Sequence, residues 1–227
     1  MHFPLPLLLL SLPLLTTAKC TTNPNPSPQP SNPPSTPPTP SNLTHALTHI
    51  SPPSAREPCL SDKIAPNECR SASQAAPHIQ SSFDRYGISS PAERAALVSL
   101  MVMESGGFVY ARSHFPEPGV RGKGTRNMQS PHYNTLYAHS IPSLSHPLSK
   151  LNPPDDVGAT LDLLLSNDEY DFGSAAWFLT SQCTPEVRRG LQSGSREGWV
   201  GYLTGCVGTT VTEGREGYWR RAMEVFK

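Results

Sequence analysis

One carboxylate in this chain has an address suited to acid–base chemistry. Glu104 closes the stretch Met101-Val-Met-Glu104-Ser105-Gly-Gly-Phe108, and Met101, Leu100 and Leu97 lie three, four and seven positions before it. On a helix those positions share one face, so the carboxyl rides at the end of an apolar stripe. Burial and the negative end of the helix dipole both favour its protonated form, the form a general acid needs. Taken alone, a glutamate in a last helical turn is more often a solvated surface residue, so its neighbours decide. Downstream, Gly124-Thr-Arg-Asn-Met128-Gln129 gathers a guanidinium, amides and a thioether in a glycine-led loop. Arg126 there either holds the acid or a substrate carboxylate, or anchors the loop itself.

A glycosidase of the usual kind needs two carboxyl groups flanking the bond. Candidates for the second are Glu117, in the loop that faces the helix end, and Asp171 or Asp168 near the start of the central helix. Asp171 is read more simply as a helix N-cap, and Asp168 and Glu169 as solvated. Tyr133, Asn134 and Tyr137 have the chemistry to stack on or hydrogen-bond a sugar ring, or equally to pack their loop onto the domain. His114 and His132 lack the spacing of metal ligands, and no cofactor or metal is expected.

The elements that must position these groups are written as helices. Ala72 to Tyr86 is amphipathic around Ile79 and Phe83. Ser90-Pro91-Ala-Glu93 opens the Glu104 helix with an N-cap, a first-turn proline and a capping-box glutamate, and Gly106 and Gly107 close it. From Phe108 to Ser149 there is little periodicity, which predicts a long loop forming a functional surface. Asp155 to Leu165 reads as a helix, and Asp171 to Leu179 as the buried central one, its Trp177 belonging to the core rather than to a sugar platform. Helices starting at Thr184-Pro185 and Ser195, and a last one through Tyr218, Ala222 and Phe226, complete a mainly α fold. Val207 to Val211 is the one short strand-like stretch.

Composition bounds the class. The chain has 227 residues, zero formal net charge and 26 prolines crowded towards the N-terminus. With no basic run, no nucleic-acid partner is expected. Residues 1–18 have the pattern of a cleaved signal peptide, an apolar run ending in small residues at Thr16 and Ala18. That run is broken by Pro4, Pro6 and Pro13 and is too short for a stable membrane anchor. Residues 19–55, rich in Pro, Ser and Thr, are expected to be a disordered tether carrying the sequon at Asn42, with His45 and His49 solvated. The folded domain is then 56–227, secreted, extracellular and monomeric. Export permits disulfides, and the five cysteines are expected to pair as Cys59–Cys69 and Cys183–Cys206, leaving Cys20 in the tether.

Glu104-Ser105 followed by Gly124-Thr-Arg-Asn-Met128-Gln129 resembles the Glu-Ser and Gly-Leu-Met-Gln motifs of lytic transglycosylases and goose-type lysozymes, in the lysozyme-like superfamily. The run from Cys59 through Tyr218-Trp219 also looks like a group of uncharacterised secreted fungal proteins that share these motifs, Ala-Ala-Trp-Phe-Leu and a final Arg-x-x-Tyr-Trp segment. The resemblance implies a lysozyme-like helical domain with a cleft, acting on cell-wall polysaccharide, the β-1,4-linked N-acetylhexosamine polymers of peptidoglycan or chitin type. Glu104 matches the catalytic acid, Ser105 the adjacent serine that positions the sugar, and Met128 and Gln129 the opposite wall of the cleft. The third transglycosylase motif, Ala-Tyr-Asn-x-Gly, is absent in recognisable form. The alternative is a secreted glycan-binding module that kept the cleft without turnover.

Overall fold

The computed structural model describes residues 40–59, 65 and 67–227. The expected signal peptide at 1–18, Cys20 and most of the tether lie outside the described residues.

The first element corrects the expected boundary at residue 56. Helix α1 (Pro40–Ile50) and a 3-10 turn (Pro52–Ala55) belong to the folded domain. Leu43, Leu47 and Ile50, spaced four and three apart, are fully buried. That stripe supplies the apolar burial that the surrounding Pro, Ser and Thr residues cannot. Arg221 Nε donates to the Ile50 carbonyl at 3.0 Å, and His49 Nε2 meets Glu224 at 3.2 Å, so His49 is exposed but not merely solvated. Asn42 stands exposed on this helix.

Helix α2 (Ala72–Arg85) starts with a reciprocal capping box between Ser71 and Gln74. Helix α3 (Pro91–Glu104) has the Ser90 cap and Pro91 start that the sequence specifies, but not the capping-box glutamate. Glu93 is instead buried, facing Arg188 and the Gln192 amide, which turns an expected cap into a tertiary ion pair. Every residue of α3 from Ala92 to Val102 except Arg94 is buried, so it is the axis of the domain. Gly106 and Gly107 end it with φ of +61° and +75°, and a β-carbon on Gly107 would lie 2.8 Å from Ser51 Oγ. That position needs glycine both for its backbone and for α1's approach.

The expected long loop is only partly a loop. Helices α4 (Pro131–His139) and α5 (Ser145–Ser149) break it, hidden from periodicity because both are short. Next come α6 (Val157–Leu165), capped by Asp156, and α7 (Asp168–Asp171), capped by Asn167. Helix α8 (Ser174–Gln182) starts after Gly173, so Asp171 is not its cap. Residues Ser174 to Leu179 of α8 are buried as expected. Helices α9 (Pro185–Gln192), α10 (Arg196–Tyr202) and α11 (Glu213–Val225) follow, capped by Thr184, Ser195 and Thr212.

Among the described residues there is no strand, only isolated bridges pairing Gly124 with Arg112 and Gln129. The Val207 to Val211 stretch begins in a π-helical turn (Leu203–Val207) that Gly208 terminates at φ +75°. Both disulfides form as expected, Cys59–Cys69 and Cys183–Cys206, with Cα separations of 5.7 and 5.4 Å. The fold is therefore mainly helical and disulfide-bonded. Its larger core joins α1, α2, α3, α8, α10 and α11, with Trp199 stacked on Trp219 at 4.8 Å. A smaller core of Tyr137, Leu144, Leu164, Trp177 and Phe178 carries α4 to α6. No described helix is long and apolar enough to cross a membrane.

Candidate functional site

The end of α3 opens onto a cavity of about 460 Å3, and Glu104 lines it. The loop from Asn127 to Ser130, Tyr133 of α4 and Phe178 of α8 line the same cavity. Glu104, Met128, Gln129 and Tyr133 thus meet in one place, although they come from three segments.

The loop is held by a one-way chain of hydrogen bonds. Thr125 Oγ1 donates to Asn127 Oδ1 (3.1 Å), Asn127 Nδ2 to Gln129 Oε1 (3.0 Å), Gln129 Nε2 to Asn134 Oδ1 (2.8 Å), and Asn134 Nδ2 to the Gly122 carbonyl (2.8 Å). Such a chain fixes each amide's orientation, because reversing one would set donor against donor. Thr125 and Met128 take positive φ, +54° and +47°, a conformation costly for residues with a β-carbon. The network offsets that cost and holds the half-buried Met128 thioether on the cavity wall. Asn134 is fully buried, so its part is to hold Gln129 rather than to touch a ligand.

Ser105 and Arg126 also point away from the cavity. Ser105 is fully buried, its Oγ donating to the Met101 carbonyl at 2.6 Å and accepting the Phe108 amide at 2.9 Å. Arg126, 1% exposed, meets Asp171 Oδ2 through Nε and Nη2 at 2.8 and 2.7 Å. It also donates to the carbonyls of Phe108, Tyr110 and Glu68, and stacks over Phe172 at 4.7 Å. Of the two roles open from sequence, loop anchor is the one its contacts support. Asp171 is its counter-ion.

No second carboxylate joins Glu104. Among the described residues it is the one acidic side chain in the cavity lining, and Glu117 is exposed outside that lining. Asp168 faces Arg70 in a bidentate pair at 2.8 Å, and Glu169 meets His78 at 2.7 Å and Ser81 at 2.5 Å, so neither is simply solvated. Burial works against the Asp168 charge, but the Arg70 guanidinium still holds that carboxyl below its ordinary value. Tyr137 is buried and donates to the Tyr170 carbonyl, while His114 meets Glu68. No group of three or more His, Cys, Asp or Glu among the described residues could hold a metal ion.

The partner that sequence reasoning missed is Arg215. Its Nη2 lies 2.6 Å from Glu104 Oε1, with the two side chains 14% and 21% exposed. The carboxyl is therefore half of an ion pair, where the sequence suggested an isolated acid. One signal was available. Arg215 sits in the first turn of α11, where the helix dipole disfavours a cation, as Glu104 sits in the last turn of α3, where it disfavours an anion. Two misplaced charges of opposite sign are mutually satisfied when the end of α3 abuts the start of α11. Tyr202 lies fully buried near Glu104, its hydroxyl without a partner among the described residues. Burial, reinforced by the Glu104 charge, pushes its phenol well above the usual range. Lys123 also lines the cavity, and with Val120 it borders a second depression of about 420 Å3 beside it.

No family model matches the chain, and no solved structure matches it. A protein of Fusarium oxysporum (strain Fo5176) named bifunctional dioxygenase (DOX)-epoxy alcohol synthase (EAS) is 43% identical to it over 158 residues. The shared segment is 67% of this chain but 12% of the length of that enzyme, so the chain corresponds to one small part of a much longer protein.

Proposed function

We propose that this chain is a secreted, lysozyme-like enzyme that cleaves β-1,4 bonds of N-acetylhexosamine polymers of the peptidoglycan or chitin type, with Glu104 as general acid. The observation that carries the reading is Glu104 at the end of an apolar helix, lining a cavity that Met128 and Gln129 also line. With one carboxylate in that lining, the chemistry is a single-acid mechanism rather than a two-carboxylate one. Protonated Glu104 gives its proton to the glycosidic oxygen as the bond from that oxygen to C1 breaks. The carbonyl oxygen of the substrate's own acetamido group bonds to C1 from the other face. The Glu104 carboxylate then takes a proton from water, or from the sugar's own hydroxyl, as that oxygen bonds to C1 and the acetamido group is released. Arg215 stabilises the carboxylate left between the two steps.

Glu104→Gln removes the proton while keeping the volume and an acceptor for Arg215. The expected result is a folded protein with turnover reduced by at least about a hundredfold, within the usual contribution of general acid catalysis. Mass spectrometry of products from peptidoglycan and chitin reads both the loss and the type of end formed. A Gln variant as fast as wild type would overturn the assignment. A second reading, a glycan-binding module without turnover, is favoured by the Glu104–Arg215 pair, which engages the carboxyl with a cation of the protein itself. Binding to either polymer with no soluble sugar released by wild type at several pH values would select it.

A further inference from the structure

The domain carries a second recess that shares no lining residue with the Glu104 cavity. It has a volume of about 570 Å3 and is formed where the end of α2 (Arg85, Tyr86), the turn between α4 and α5 (Ser140 to Ser143), Tyr170 of α7 and Trp177 of α8 converge. Its size lies within the range of about 300–1,000 Å3 usual for small-molecule sites.

We propose that this recess is a second glycan-holding site, which grips one N-acetylhexosamine ring of a polymer while another part of the chain occupies the Glu104 cavity. This builds on the glycan-cleaving reading above. Three aromatic side chains, Tyr86, Tyr170 and Trp177, line the recess, and aromatic rings suit the apolar faces of sugars. Their setting is rigid. Tyr170 Oη and Ser143 Oγ are 2.7 Å apart, and the Tyr170 carbonyl accepts from the buried Tyr137 hydroxyl at 2.9 Å. Trp177 is packed in the smaller core and 6% exposed. The lining holds no carboxylate, which disfavours a cationic ligand, and its one charged group is exposed Arg85. Arg85 interacts with the Tyr86 hydroxyl beside it, and its remaining guanidinium donors can serve hydroxyl, ring or acetamido oxygens. Helix α8 connects the two places, because Phe178 lines the Glu104 cavity and the preceding residue, Trp177, lines the recess.

The test uses the full chain carrying Glu104→Gln, so that the ligand is not consumed, with and without Tyr170→Ala or Arg85→Ala. Both positions lie outside the fully buried core, and unfolding curves confirm that each variant is folded. The probes are a soluble N-acetylglucosamine tetramer, insoluble chitin and insoluble peptidoglycan. The expected result is tetramer-induced NMR shifts at Tyr86, Tyr170 and Trp177 as well as around Glu104. Each substitution should weaken retention on at least one insoluble polymer about three- to tenfold, the scale of one lost aromatic contact. In the Glu104-containing protein, the same substitutions should leave cleavage of a short soluble oligomer unchanged. The two polymers decide whether the chitin or the peptidoglycan form of the sugar is held. Shifts confined to the Glu104 cavity, no shifts at all, or folded Tyr170→Ala and Arg85→Ala variants retained like the parent would overturn the proposal. Failure of the glycosidase reading would appear separately, as turnover surviving Glu104→Gln.

Discussion

Replacing Arg126 by Met should cost this domain stability on a scale that excludes a ligand-binding role. The side chain is 1% exposed and its counter-ion Asp171 is 3% exposed, so removing the guanidinium strands a carboxylate in the interior. Breaking a buried pair from one side costs about 3–5 kcal/mol. The carbonyls of Phe108, Tyr110 and Glu68 lose their Arg126 donors as well, with penalties of about 1 kcal/mol for each that water cannot reach. Met restores packing over Phe172 and recovers part of this, so we expect a net loss of about 4 kcal/mol. At about 2–4 °C per kcal/mol for a domain of this size class, the midpoint falls by roughly 8–16 °C. Urea unfolding with the disulfides intact, followed by the fluorescence of Trp177, Trp199 and Trp219, measures it. Asp171→Leu on its own should also destabilise. The double variant should lose clearly less than the sum, because neither charge is then left alone. A single-variant loss below about 1 kcal/mol, or strict additivity, would refute the assignment of Arg126 as the buried anchor of the cleft loop.

Three further outcomes follow from particular contacts. Tyr202→Phe removes a buried hydroxyl that has no partner, and should leave stability unchanged or raise it by up to about 1 kcal/mol; a loss larger than that in the same urea assay would mean the hydroxyl is hydrogen-bonded in solution. Asp168→Asn should destabilise at pH 7 by about 1 kcal/mol through the half-buried Arg70 pair. Because the folded carboxyl lies below its ordinary value, that contribution is present above about pH 4 and is lost as pH falls through the folded value; a wild-type advantage persisting undiminished at pH 2 would contradict it. Leu47→Ala, which empties a fully buried position in α1, should cost about 2–5 kcal/mol, whereas an unchanged midpoint would return this segment to the tether.

Much of the helical framework was legible because its signals are local. Ser90, Thr184 and Ser195 cap the helices that the sequence assigns to them, since an N-cap depends only on residues two and three places ahead. Helix α1 was hidden by composition, as three buried residues in a Pro/Ser/Thr background carry little weight until α2, α3 and α11 are there to receive them. Glu93 and Asp171 were misread for one shared reason. Each stands where a cap would use it locally, yet each is claimed by an arginine from far along the chain, Arg188 and Arg126. Burial makes that pairing obligatory, because a carboxylate enclosed without a cation is far more costly than a helix lacking one cap.

The same competition shapes the site. Sequence periodicity located Glu104 at an apolar helix end, and Met128 and Gln129 line the same cavity. Ser105 and Arg126 belong to those motifs and Asn134 follows them, but all three are buried and support the site from behind its lining. Arg215 is the case with most consequence, because the helix-end rules that make Glu104 look like a trapped acid also mark Arg215 as a displaced cation. Reading both rules together predicts that the two ends meet, and a separation of 2.6 Å is the result. Arg215 is therefore placed to stabilise the Glu104 carboxylate that forms when the acid gives up its proton. Arg215→Met should then lower kcat more than it alters polymer binding. An equal loss in KM alone would instead make Arg215 a binding residue.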